Sequence, residues 1–219
     1  MKYVYESDTE PVINYLVETI NERLVAGNKV LWILSGGSGG KVCAEVSKRL
    51  TGDLSNLITT LSDERYVPLG DPDENWKQLI DFGFTVPGAT TYRPIQGKDR
   101  ETTTAEFGAW VEKQFSLADY KVGLFGMGTD GHTAGIKPGT SAVDATGWAT
   151  AFTGNDFERI TITFDAIKQL DEVVVQAMGA DKTAILDSLL HEDIEIKVQP
   201  AQVLKSVAKS TIFTDYKEA

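Results

Sequence analysis

Apolar positions along the chain switch repeatedly between helical spacing and continuous short runs. After Thr9-Glu10-Pro11, Val12, Ile13, Leu16, Val17, Ile20 and Leu24 recur at helical spacing, and Gly27 ends the pattern. Val30-Leu31-Trp32-Ile33-Leu34 is an unbroken apolar run, as expected of a strand covered on both faces. The same reading predicts a helix over 41–50, carried by Val42, Cys43, Val46 and Leu50, and a strand over 57–61. A short helix over 73–82 and a longer one over 101–117 follow. Tyr120-Lys121-Val122-Gly123-Leu124-Phe125 reads as a buried strand, 160–164 as an alternating strand, 172–177 as another strand and 182–190 as a last helix. Strands alternating with helices predict an α/β fold: an open, mainly parallel sheet, helices on both faces and right-handed crossovers. No repeat, low-complexity linker or composition shift divides the chain, so a single domain over 1–219 is expected.

Three polar, glycine-bearing loops each follow an expected strand: Ser35 to Gly40, Ser62 to Pro68, and Gly126 to Gly135. In an open parallel sheet the carboxyl ends of the strands lie along one edge, so such loops can share a crevice. Ser35-Gly36-Gly37-Ser38-Gly39-Gly40 leads into a helix, where backbone N–H groups and the helix dipole favour an anion. It lacks the Gly-Lys-Ser/Thr ending of a Walker A loop and the register of a dinucleotide loop, so it reads as a phosphate cradle or a flexible turn. Asp63-Glu64-Arg65 offers an acid for orienting a hydroxyl and a guanidinium for gripping a carboxylate or phosphate. Gly126-Met127-Gly128-Thr129-Asp130-Gly131-His132-Thr133-Ala134-Gly135 contains one of only two histidines in the chain. His132 suits a general base because its unperturbed pKa lies near neutrality, and Asp130 can fix its tautomer. No Gly-x-Ser-x-Gly elbow is present, which leaves a histidine activating water directly as the simpler chemistry. Arg159 and Lys182 are downstream cations that read either as phosphate ligands or as surface charges.

Charge and composition narrow the partners. The formal net charge of -11 speaks against general nucleic-acid binding, which needs a basic surface, yet leaves room for a small phosphorylated ligand held by local cations. The lone cysteine, Cys43, excludes an internal disulfide and falls on the apolar side of its expected helix, so it reads as a core residue. One cysteine and a distant His191 offer no zinc-site spacing. The start of the chain lacks signal-peptide character, and no apolar run reaches the ~18 residues needed to span a bilayer. The expectation is a soluble cytoplasmic protein without membrane association.

Taken in order, these segments resemble the 6-phosphogluconolactonase family, within the superfamily shared with glucosamine-6-phosphate deaminase. The resemblance rests on Ser35-Gly36-Gly37-Ser38, Asp63-Glu64-Arg65-Tyr66-Val67-Pro68 and Gly126-Met127-Gly128-Thr129-Asp130-Gly131-His132-Thr133-Ala134. It continues through Pro138-Gly139, Arg159-Ile160-Thr161, the turn from Gly179 to Lys182, and Gln199-Pro200-Ala201. It implies the Rossmann-like deaminase/lactonase fold and hydrolysis of 6-phospho-D-glucono-1,5-lactone to 6-phosphogluconate in the oxidative pentose phosphate pathway. It implies neither a metal nor an organic cofactor, and a small phosphosugar lactone as the partner of a monomer or small homo-oligomer. By the same resemblance His132 activates the attacking water, while Asp63, Arg65 and Asp130 line the sugar and the imidazole. Ser35, Ser38, the backbone of Gly36 and Gly37, Asn75, Arg159 and Lys182 belong to the substrate and phosphate pocket.

Two other readings are a glucosamine-6-phosphate deaminase and a non-catalytic sugar-phosphate binder. The deaminase group resembles Asp-Gly-His-Ile-Ala-Phe-Asn-Glu-Pro-Gly at the third loop, and its Glu assists the catalytic histidine. Here that position, just before Pro138-Gly139, is Lys137, and a cation does not replace a carboxylate. Lactonases commonly carry Thr-Pro where this chain has Gly39-Gly40, Ser-Asn where it has Glu74-Asn75, and Ser-Leu-Phe where it has Gly135-Ile136-Lys137. These departures are expected around the sugar, with Lys137 solvated.

Overall fold

A computed structural model describes residues 1–217. Its central sheet has seven strands in the order β1-β10-β9-β6-β2-β3-β5, and every neighbouring pair is parallel. The strands are β1 (Lys2–Tyr5), β2 (Val30–Leu34), β3 (Leu57–Leu61), β5 (Thr90–Tyr92), β6 (Tyr120–Gly126), β9 (Glu172–Gln176) and β10 (Lys209–Thr214). The helices are α1 (Glu10–Val25), α2 (Gly37–Arg49), α3 (Asn75–Asp81), α4 (Arg100–Leu117), α5 (Phe164–Ile167) and α6 (Thr183–His191).

The buried strands show why helices cover both faces. Along β2, Leu31 and Ile33 join one apolar cluster while Val30, Trp32 and Leu34 join another. That split is the two-residue period of a strand dividing its side chains between two cores. On one face Val12, Leu16 and Ile20 of α1 pack with Val42, Cys43 and Val46 of α2 and Leu79 of α3. On the other, Phe107 and Val111 of α4 pack with Ile167 of α5 and Leu186 and Leu189 of α6. Cys43 is fully buried, and burial pushes its thiol up to about 12, in keeping with a core residue.

Three features differ from the pattern-based expectation. The strand expected over 160–164 is β8 (Glu158–Ile162), and it lies outside the parallel sheet. It is the centre of a separate three-stranded antiparallel sheet, between β4 (Asp63–Arg65) and β7 (Ala149–Thr153). Its Ile160 and Ile162 still join the core beside α4, so alternation fixed its buried face but not its partners. The helix expected over 41–50 starts four residues earlier, at Gly37, so the glycine run is its first turn. Gly39 is required there because a Cβ would stand 2.5 Å from Ser35 Oγ. The edge strands β1 and β5, and β10 beside β1, carry too few alternating apolar residues to be read from pattern alone. Among the described residues no helix is long and apolar enough to cross a membrane.

Candidate active site

β2 is flanked by β3 on one side and β6 on the other, and the chain leaves its carboxyl end into α2. Strand order reverses here, which is where open α/β sheets bind ligands. A cleft of about 550 Å³ opens at this point, bounded by the three strand-end segments and by residues from β8, β9 and the start of α6. Ser35, Gly36, Gly37, Ser38, Asp63, Arg65, Asn75, His132, Arg159 and Lys182 all line it. Asp130 stands behind His132 and reaches the cleft through it.

The His132 loop is a tight, self-bonded turn at the end of β6. Gly128 N–H donates to His132 O at 2.9 Å, Gly131 N–H donates to Gly128 O at 3.0 Å, and Thr133 Oγ1 donates to Gly126 O at 2.9 Å. A Cβ at Gly128 would overlap the imidazole, so glycine there makes room for the ring. His132 Nδ1 lies 2.6 Å from Asp130 Oδ1, which also accepts the His132 backbone N–H at 3.1 Å. A carboxylate can only accept, so the neutral imidazole carries its proton on Nδ1 and its lone pair on Nε2. Burial acts to raise the Asp130 pKa, but the hydrogen bonds and charge of His132 outweigh it and hold the carboxyl below its ordinary value. Ala134 has φ 48°, the one non-glycine positive φ among the described residues, and its carbonyl accepts the Thr161 hydroxyl at 2.5 Å. Gln199-Pro200-Ala201 supports this loop from outside: Ala201 N–H donates to Gly131 O at 2.8 Å.

Asp63-Glu64-Arg65 is not a free loop but β4, and pairing with β8 turns alternate side chains to opposite sides. Asp63 and Arg65 line the cleft, whereas Glu64 is fully buried against the start of α3. There it accepts N–H groups from Asn75 at 2.6 Å, Trp76 at 2.9 Å and its own neighbour Arg65 at 2.8 Å. Glu64 is thus a long-range cap on α3 that seats Asn75, whose side-chain amide donates to Asp63 O at 3.1 Å. Burial pushes Glu64 up to about 8 against these three donors. Burial also raises the Asp63 pKa, opposed by the Ser62 hydroxyl and by the positive charges of Arg159, His132 and Arg65. The two guanidiniums and the imidazole are therefore near enough to Asp63 to act on its charge.

The register of β4 on β8 sets Arg65 opposite Arg159, and both guanidiniums lie over the Phe157 ring, at 4.8 and 5.6 Å. Arg65 Nη1 donates to Asp73 O at 3.1 Å. Arg159 forms a fork on Asp156, with Nη1 to Oδ1 at 2.6 Å and Nη2 to Oδ2 at 2.9 Å. Lys137 Nζ donates to the same two oxygens, at 3.0 Å each. Lys137 is therefore not solvated: its side chain is 24% exposed, it lines the cleft and it is ion-paired. Glu74 also departs from expectation, because it is fully buried, bidentate to Arg93 and absent from the cleft lining. Lys182 sits at the start of α6, 3.8 Å from Asp181. Asp156, Gln176 and Met178 line the cleft without having been expected there. Gln176 ends β9, so the strand-end rule that found the other loops could have found it; nothing in the irregular turn around Asp156 signalled its role. Among the described residues no three His, Cys, Asp or Glu side chains are grouped so as to hold a metal ion.

Comparison with known proteins agrees with this geometry. The family model described as glucosamine-6-phosphate isomerases/6-phosphogluconolactonase matches residues 7–213. The chain belongs to this family. A 6-phosphogluconolactonase from Rhizobium meliloti (strain 1021) is 32% identical over 164 residues, covering 70% of each chain. Among solved structures, the 6-phosphogluconolactonase from Thermotoga maritima superposes with a TM-score of 0.81 at 21% identity, over 97% of this chain and 98% of that one. A monomeric glucosamine-6-phosphate deaminase superposes with a TM-score of 0.80 at 18% identity, over 98% of this chain and 97% of that one. The family fold thus carries both chemistries at nearly equal structural distance, and the site residues have to separate them.

Proposed function

We propose that this chain hydrolyses 6-phospho-D-glucono-1,5-lactone to 6-phosphogluconate, in the oxidative pentose phosphate pathway. The observation that carries the reading is the His132–Asp130 pair at 2.6 Å, opening onto a cleft that also holds Arg65, Arg159, Lys137 and Lys182. With Nδ1 bonded to Asp130, Nε2 takes a proton from a water as the water oxygen attacks the lactone carbonyl. The resulting tetrahedral centre collapses by breaking its bond to the ring oxygen, which receives the proton from His132. One water is consumed, one C–O bond forms, one breaks, and His132 returns to its starting state. Asp130 holds the ring in the productive tautomer and stabilises the imidazolium. Asp63 and Arg65 line the sugar, while Ser35, Ser38, the Gly36–Gly37 backbone, Asn75, Arg159 and Lys182 hold the substrate and its phosphate. The first turn of α2 adds unpaired N–H groups for that anion.

Lys137 favours hydrolysis over deamination: the carboxylate that assists the histidine in the deaminase pattern is replaced by an ammonium paired to Asp156. We further infer a single domain over 1–219 acting in the cytoplasm as a monomer or small homo-oligomer. The test is to generate the lactone in situ from glucose 6-phosphate and its dehydrogenase and to follow its decay. The purified protein should accelerate decay above the spontaneous rate, and His132→Ala should lower kcat on the order of 10²–10⁴-fold. Phosphosugar binding without acceleration would leave a non-catalytic binder, and ammonia release from glucosamine 6-phosphate would replace the reading with deamination.

A further inference from the structure

Asp156 is held by two cations from different parts of the chain. Arg159 reaches it from the start of β8, within the same hairpin, and Lys137 reaches it from the far end of the His132 loop, 19 residues away. Both cations address the same two carboxylate oxygens, so the cluster is already arranged around one oxyanion. Arg159 is nearly buried, with its side chain 8% exposed, and Lys137 is 24% exposed, whereas Asp156 is 43% exposed. The anion is the outermost member, and the two cations are its walls. All three line the same cleft as His132 and the α2 start. Two cations against one carboxylate leave this wall with a net positive charge. The three N–H groups of a lysine and the five of an arginine exceed what one carboxylate can accept.

We propose that Lys137 is a specificity-determining residue that binds the substrate's phosphate together with Arg159, and that Asp156 is the counter-charge both cations exchange for it. This rests on the phosphosugar reading of the site and assigns Lys137 a role in it. A phosphate presents adjacent oxygens much as a carboxylate does, and carries more charge, so it takes over the Arg159 fork with Lys137 still in reach. Exchange, rather than simple addition, keeps the wall from holding unpaired cations at any stage. It also ties affinity to the competing carboxylate: without Asp156 the phosphate loses the rival anion that is hydrogen-bonded to both cations.

The test uses Lys137→Met, Lys137→Arg and Asp156→Asn in the full chain, with inorganic phosphate as the binding probe by calorimetry and the lactone assay for kinetics. Loss of one charge-assisted contact should weaken phosphate binding and raise KM about tenfold in Lys137→Met, with kcat changed less than about threefold. Lys137→Arg should restore most of the affinity, and Asp156→Asn should tighten phosphate binding. The proposal is overturned if Lys137→Met leaves phosphate affinity unchanged, or if Asp156→Asn and Lys137→Met lower kcat and thermal stability together. Either result would make the ion pair a strap between loop and hairpin and nothing more. Because phosphate binding is read without turnover, absence of lactonase activity would count against the proposed reaction and not against Lys137.

Discussion

At the scale of single residues, the division of labour between the two acids near His132 follows from what each one touches. Asp130 accepts from the imidazole and from the His132 backbone, so its charge is used to aim the ring. Asp130→Asn keeps the size but can present an N–H to Nδ1, favouring the tautomer whose Nε2 has no lone pair. The expected outcome is a fall in kcat of about 10²-fold or more with little change in KM, measured on the lactone at neutral pH. Its lowered pKa also has a stability consequence. A carboxyl depressed by folding adds stability above its unfolded pKa and loses that contribution as pH falls through its folded one. Asp63 differs in being raised by burial, so ionising it is opposed by its surroundings, and the Ser62 hydroxyl and the nearby positive charges offset only part of that cost. Gly128 shows how little freedom remains around the ring. Gly128→Ala would drive a methyl into the imidazole, and activity should collapse while the melting temperature moves only a few degrees.

At the scale of elements, Glu64 couples the second sheet to α3, and through Asn75 and Arg65 it sets two cleft residues at once. Being raised to about 8 from an ordinary 4.5, Glu64 contributes most to stability below its unfolded pKa, and that contribution is lost as pH rises through the folded one. Wild-type protein should therefore lose more unfolding free energy between these two pH values than Glu64→Gln does, by denaturant titration at each pH. The variant should also be weaker at the acidic end, by about 1–3 kcal/mol, because its amide turns a donor toward a backbone N–H. Sequence pattern reached these elements unevenly, for physical reasons. The central strands β2, β3, β6 and β9 are buried on both faces, so their apolar runs are plain, and α1 and α4 are long enough to show their spacing. β4 spans three residues, all charged, and exists only because β8 pairs with it, so it reads as a loop until the partner is known. Among the site residues, His132, Asp130, Asp63 and Arg65 were legible because strand-end loops meet in such a fold. Lys137 and Asp156 were not, since their meaning lies in a contact between two irregular segments that no local spacing encodes.

At the scale of the whole molecule, the site works against the protein's own field. The chain carries a net charge of -11, yet Arg65, Lys137, Arg159 and Lys182 line a single cleft whose acids are Asp63 and Asp156. The diffuse negative charge repels an approaching phosphate over long range and is largely screened beyond about 10 Å at 0.1 M salt. The cleft cations act at contact, where screening is weaker but added anions still compete for the same donors. In the range from about 0.1 to 0.5 M salt the long-range repulsion is already muted, so further salt mainly weakens the contacts. KM for the phosphorylated lactone should then rise with ionic strength, while kcat, which the proposed mechanism assigns to the His132–Asp130 pair, stays nearly constant. An unphosphorylated lactone should bind poorly throughout and show no such rise, which separates electrostatic binding from a general effect of salt on the fold. A parallel fall in kcat for both substrates would instead place the salt sensitivity in the catalytic loop. The experiment needs a phosphate-free buffer, because phosphate itself would compete for Arg159 and Lys137.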